Sequence, residues 1–195
     1  MRLVVILIGM MAFLACRQEA ARIPRPRAYP RVHYPVRQIQ SFSLDQCPMT
    51  FQYPDYMTVI RRDRFSDDDT MHPCWFDLDA GVFGATLHCS YSDISGEQTF
   101  DALVSDAFRI ADKINQRANY MDEVRVANEH GVSGLLMEFS GSAASPLHFF
   151  LTDSTAHFLK ASLYFQSKYQ ADSLAPVMAY LRQDLALIIN TMTFE

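Results

Sequence analysis

Phe158-Leu159-Lys160-Ala161-Ser162-Leu163-Tyr164-Phe165 decides the fold, because its side chains alternate: Leu159, Ala161, Leu163 and Phe165 share one face, and Lys160 and Ser162 take the other. Such a segment belongs to a sheet covered by apolar groups on one side. Working outward, the same reading marks strand candidates at Met57 to Arg61, Trp75 to Asp79, Thr86 to Ser92, Val124 to Asn128, Gly134 to Gly141 and Leu147 to Thr152. Two stretches have helical periodicity instead. Phe100, Leu103, Val104, Ala107, Ala111 and Ile114 form one stripe, and Leu174, Val177, Met178, Leu181, Leu185 and Ile188 form another. Thr99 or Asp101 is the candidate cap of the first helix, Asp172 or Ser173 that of the second, with Pro176 in its opening turn. Strands in a mostly sequential run with two helices set apart predict an α+β domain, a predominantly antiparallel β-sheet flanked by helices.

Upstream of this domain the chain changes character. Arg2 is followed by an apolar run from Leu3 to Ala12 and then by Phe13-Leu14-Ala15-Cys16. A run this short does not cross a hydrocarbon layer of about 30 Å, so residues 1–15 read as a signal peptide. A small residue directly before Cys16 has the form of a bacterial lipoprotein signal, which predicts lipidation of Cys16, a covalent acyl (palmitate-type) anchor and residence in the envelope. The blander alternative is an ordinary secretory peptide. Residues 16–37 then carry Arg17, Arg22, Arg25, Arg27, Arg31 and Arg37 against Glu19 alone, interrupted by Pro24, Pro26, Pro30 and Pro35. This is a tether, extended at about 3.1 Å per residue. A solvated spacer and a basic patch for anionic lipid heads both fit it.

Residues 38–195 read as a single domain of reversed charge, with ten Lys or Arg against twenty-one Asp or Glu. Such a body repels nucleic acid. Export exposes Cys47, Cys74 and Cys89 to oxidising conditions. Cys47 lies before the first strand candidate and Cys74 just before another, so Cys47–Cys74 is the expected disulfide, stapling the domain's entry to its sheet. Cys89 sits mid-strand in alternation with Leu87 and Tyr91 and reads as a small buried thiol. The cysteine spacings do not suit zinc, the Asp63 to Asp69 cluster lacks the ligand spacing of a calcium loop and reads as solvated, and no metal site is expected.

Chemistry-bearing residues are sparse. Asp153, Ser154 and His157 are the one local cluster that suggests a nucleophile and base, but Thr152-Asp153-Ser154-Thr155 joins two strand candidates and fits a side-chain-capped turn better. His88 and His148 fall mid-strand on the polar side, where neighbouring strands would let them meet. With seven glycines and no glycine-rich phosphate loop, no nucleotide cofactor is expected. Gly141 to Ser145 is a candidate interaction surface: small residues admit a close backbone, and Phe139, Phe149, Tyr164 and Phe165 are nearby aromatic anchors if they face outward. A small-residue connection over a filled core fits the same segment.

Several stretches carry a resemblance: Pro24-Arg25-Pro26-Arg27-Ala28-Tyr29, Cys47-Pro48 leading to Phe51, and Cys74-Trp75-Phe76-Asp77-Leu78. The C-terminal half adds Gly141-Ser142-Ala143-Ala144-Ser145, Phe149 to Ser154, His157 to Phe165 and Asp172 to Pro176. Together they resemble the gliding-motility lipoprotein GldD family over essentially the whole mature chain. The resemblance implies a non-catalytic component or assembly factor of the gliding machinery linked to type IX secretion, whose partners are other envelope proteins. It assigns no catalytic residues. By fold analogy the architecture is similar to PsbP or Mog1-type domains. The combined expectation is a periplasm-facing, lipid-anchored, non-enzymatic protein with Gly141, Ser142, Ser145, Asp153, Ser154, His157 and Tyr164 as candidate interaction residues. A small-ligand-binding or hydrolytic envelope lipoprotein is the alternative.

Overall fold

The apolar face of the deciding strand meets an apolar face on each neighbour, which is what holds a wide sheet together. In the computed structural model, which describes residues 31–44, 46–62, 73–96, 98–141, 143–166 and 171–195, the order is β1 (Ile39–Ser43), β2 (Met49–Pro54), β3 (Thr58–Arg61), β4 (Phe76–Ala80), β5 (Ala85–Asp93), α1 (Phe100–Asn115), β6 (Ala118–Ala127), β7 (Ser133–Gly141), β8 (Leu147–Thr152), β9 (His157–Phe165), α2 (Ala171–Thr191) and β10 (Thr193–Phe194). Seven strands pair in the order β3-β4-β5-β9-β8-β7-β6, and a smaller sheet has the order β1-β2-β10. Every pairing is antiparallel. The fold is α+β. Cys16, the tether up to residue 30, the Asp63 to Asp69 cluster and Ser142 lie outside the described residues.

Each face of the large sheet has its own core. On one side Leu87, Cys89 and Tyr91 of β5, Leu159, Ala161 and Leu163 of β9 and Leu147, Phe149 and Leu151 of β8 pack with Val177, Met178, Leu181, Leu185 and Ile188 of α2 and with Phe42, Met49 and Phe51 of the small sheet. On the other, Leu103, Ala107, Ala111 and Ile114 of α1 pack on Met137, Phe139, Phe150 and Phe158. Thr99 caps α1 by accepting from Ala102 N at 3.3 Å. Both helical stripes therefore face the sheet as expected, with α1 lying over β6 to β9.

The small sheet was not expected. β1 buries only Phe42 of its five residues, and β10 has two residues, so neither carries a readable alternation. β6 also begins at Ala118 rather than Val124, because its exposure on both faces hides the pattern. Pro176 stands inside α2 rather than in its opening turn. There it lacks the N–H that would bond the Asp172 carbonyl.

Cys47 and Cys74 form a disulfide with Cα atoms 5.4 Å apart, and Cys89 is a buried free thiol. Burial, then the nearby Asp77 charge, pushes that thiol far above its ordinary pKa, so it is inert as a nucleophile.

Candidate functional site

The residues singled out from sequence fall in three separate places. Gly141 ends β7 with φ of +84° and the Asn119 side chain within 2.8 Å of where a Cβ would stand. Ser145, four residues on, is fully buried and its Oγ reaches the carbonyls of Leu147 (2.8 Å) and Leu163 (2.6 Å). It seals the β7–β8 connection from inside and offers no outer surface. Phe139 and Phe149 are likewise buried, so neither is an outward anchor.

Asp153, Ser154 and His157 lie at the opposite end of β8. Asp153 Oδ1 accepts from the N–H groups of Thr155, Ala156 and His157 at 2.9–3.0 Å. Burial alone would raise its pKa, but these donors override burial and hold it at about 2. Ser154 takes a left-handed backbone, φ 65°. The His157 ring turns to Tyr91, with Nδ1 at 2.6 Å from the hydroxyl. That hydroxyl donates to Asp93 at 2.7 Å, so the histidine is the donor in this pair. The three residues build a capped turn, not a nucleophile and its base.

Tyr164 stands apart from both groups, and it leads to a cleft. Because α1 covers β6 to β9, the β4–β5 part of that face is left open. The strand register sets a polar row across it: Asp77 of β4 faces His88 of β5, His88 faces Ser162 of β9, and Ser162 faces His148 of β8. His88 and His148 thus do not meet, as the sequence reading allowed, because β9 runs between their strands. Asp77 Oδ1 lies 2.7 Å from His88 Nδ1, and Asp77 Oδ2 accepts from Arg62 Nε at 2.8 Å. Arg62 Nη2 is 3.0 Å from the same His88 nitrogen. One nitrogen cannot donate to Asp77 and accept from Arg62 at once; the shorter contact to an acceptor-only carboxylate makes it the donor.

The cleft above this row has a volume of about 500 Å³ and is walled by Trp75, Tyr164, Ile110 and Lys160. Tyr164 packs with its ring centroid 5.3 Å from that of His88, and Trp75 Nε1 donates to the Tyr91 carbonyl at 2.9 Å. Its cations are neutralised in place, since Arg62 pairs with Asp77 and Lys160 with Asp106. His148 Nδ1 meets Ser162 Oγ at 2.7 Å. Burial, then the Lys160 charge, pushes its pKa down to about 4 against the pull of the Ala161 and Ala107 backbones, so the ring is neutral at pH 7. Among the described residues no cluster of three metal-ligating side chains occurs.

A second polar cluster fixes the segment before β1 to α2. Asp184 of α2, 1% exposed, accepts from Arg37 Nε and from the Tyr56 hydroxyl. The Arg37 guanidinium lies 3.6 Å over the Tyr180 ring and donates to the Tyr180 carbonyl at 3.0 Å. In the sequence Arg37 reads as one more cation of the Pro/Arg-rich segment, and nothing local marks Arg62 or Asp184. Only the pairing of distant segments reveals them.

The family model described as "Gliding motility lipoprotein GldD" matches residues 19–194. The chain belongs to this family. GldD membership implies envelope association and involvement in gliding motility. No curated protein matches the chain. Among solved structures, the solution structure of cyanobacterial PsbP (CyanoP) from Synechocystis sp. PCC 6803 is similar over 83% of this chain and 95% of its own, at 11% identity and a TM-score of 0.48. Among the described residues of this GldD-family chain, no helix is long and apolar enough to cross a membrane.

Proposed function

We propose that this GldD-family protein is a non-catalytic docking subunit, held to a membrane by acyl chains on Cys16, facing the periplasm, and binding other gliding and type IX secretion proteins as a component or assembly factor. One contrast carries this reading. The cluster that suggested a nucleophile and its base is engaged by the fold, Asp153 by three backbone donors and His157 by Tyr91, and Ser145 is held by two carbonyls. The cleft at Tyr164, Trp75 and His88 is meanwhile open and has aromatic walls. Open aromatic surface with neutralised charge suits recognition of a partner's side chains. The residues ahead of the packed segment before β1 supply reach, and the Arg37–Asp184 pair helps fix that segment to α2.

The test is recovery of envelope partners with the full-length lipidated protein, in parallel with Tyr164→Ala and with a triple alanine variant at Asp153, Ser154 and His157. Docking through the cleft is expected to weaken recovery at least tenfold in Tyr164→Ala. Motility should survive in the triple variant if its turn still folds. A turnover or small-ligand affinity that disappears in the triple variant, with partner recovery unchanged in Tyr164→Ala, overturns the reading.

A further inference from the structure

β6 is an edge strand of ten residues, more than twice the length of β3 at the other edge. Long edge strands present unpaired backbone groups, which makes them templates for another strand. Which groups are free follows from the hydrogen bonds. Phe139 N donates to the Pro146 carbonyl, so odd residues of β7 bond toward β8 and even residues toward β6. In β6 the even residues therefore bond inward, consistent with Asn128 N donating to the Val132 carbonyl. Met121, Glu123, Arg125 and Ala127 are left with N–H and C=O pointing outward.

The outward strand carries its own complement. Glu123 and Arg125 lie on the α1 face of the sheet, opposite Met137 and Leu135. Both are exposed, and neither forms an ion pair among the described residues. Between them Val124 is 49% exposed and nearby Tyr120 is 60% exposed. An antiparallel second copy centred on Val124 brings Glu123 opposite Arg125, Arg125 opposite Glu123, and Val124 opposite Val124. The outward residues then exchange backbone hydrogen bonds in pairs, and the two valines occupy the close, non-hydrogen-bonded position, with Cα atoms about 4.5 Å apart. Like charges never face each other in this register. The repulsion between two acidic bodies is largely screened beyond about 8 Å at physiological salt.

We propose that β6 is a homodimer interface, joining two copies of this chain into one continuous sheet through Glu123–Arg125 pairs about a dyad at Val124. That dyad is normal to the sheet, so both copies keep α2 on the same face. Arg37 is clamped to α2, so both tethers start from that face and reach one bilayer; this last step rests on the Cys16 anchor proposed above. A bilayer-bound pair gains local concentration without further contacts.

The experiment uses full-length lipidated protein in its native envelope carrying Val124→Cys, which places two thiols within disulfide range at the dyad. Mild oxidation is expected to yield a covalent dimer, whereas Ile60→Cys on the other edge stays monomeric. Adding Glu123→Arg or Arg125→Glu alone is expected to cut the yield at least tenfold, and the two together restore it. Light scattering of detergent-solubilised protein without the added cysteine should give twice the protomer mass, and half of the double-sized fraction or less in either single charge variant. A monomer throughout, a cross-link to a different polypeptide, or a dimer indifferent to charge reversal overturns the proposal. Cys16→Ser that releases the protein from the membrane but keeps the cross-link separates this interface from the anchor.

Discussion

His148 has its ring wholly inside the protein, against Ser162 and beneath α1, and it is held neutral by burial with a pKa of about 4. Its folded pKa lies below the ordinary value near 6.5, so the unfolded chain takes up a proton that the folded one refuses. Stability from this group is complete above about pH 6.5 and is lost as pH falls toward 4. The difference is worth about 3 kcal/mol. His148→Asn is expected to be less stable than the parent at pH 7, with the gap narrowing by about that amount at pH 4. Urea midpoints measured across this range test it, and a gap that stays constant would show that the ring takes up its proton as readily in the fold as in the unfolded chain. Asp153 has the same sign in a lower window, since its depressed pKa supports the fold above about pH 3.8 and that support is lost as pH drops toward 2. The sequence placed both side chains correctly, one mid-strand and one in a turn. It did not reveal that β9 separates His148 from His88, because strand order is set by pairings far apart in the chain.

Elements are held at two points where one residue type decides the outcome. Gly134 of β7 faces Leu151 of β8, and a Cβ there would stand 1.9 Å from the Phe150 carbonyl oxygen. No side-chain rotation relieves a backbone clash, so Gly134→Ala must push β7 from β8; a loss of about 3 kcal/mol is expected in thermal or urea unfolding, near the upper end for overpacking. Unchanged stability would mean that the two strands are further apart. The second point is Asp184, buried on α2 and reached by Arg37 and Tyr56. Removing one partner of a buried ion pair costs about 3 kcal/mol, since the other charge remains desolvated. Arg37→Ala is expected to lower stability by that order and free the segment before β1. Asp184→Asn keeps the arginine but loosens it, so trypsin should cut after Arg37 many times faster than in the parent. Equal cleavage rates would place the clamp elsewhere. β7 to β9 were legible because their apolar alternation is local. The clamp was not, because Arg37 and Asp184 are joined only after α2 packs across the small sheet.

At the scale of the molecule, both ends of the folded body meet in one place, since β1 and β10 flank β2 in the small sheet. That sheet contains little regular pattern of its own. It is secured by Phe42, Met49 and Phe51 in the shared core and by the Cys47–Cys74 bridge, which enters just before β2 and leaves just before β4. The bridge spans a sequence separation of 27, and closing a loop of that size in the unfolded chain is worth about 3.5 kcal/mol in the chain-entropy account. Reduction, or Cys74→Ser, is expected to lower the unfolding free energy by about that amount. The loss should not be uniform. The large sheet keeps two packed faces, whereas β1 and β10 pair only with β2, so amide exchange should accelerate first in residues 39–54 and 193–194 and only later in β5, β8 and β9. Equal acceleration throughout would mean that the two sheets unfold as one unit and that the bridge staples neither to the other. Because Arg37 sits two residues before β1 of this small sheet, its loosening should also release the clamp, and trypsin cleavage after Arg37 should rise in parallel with the exchange.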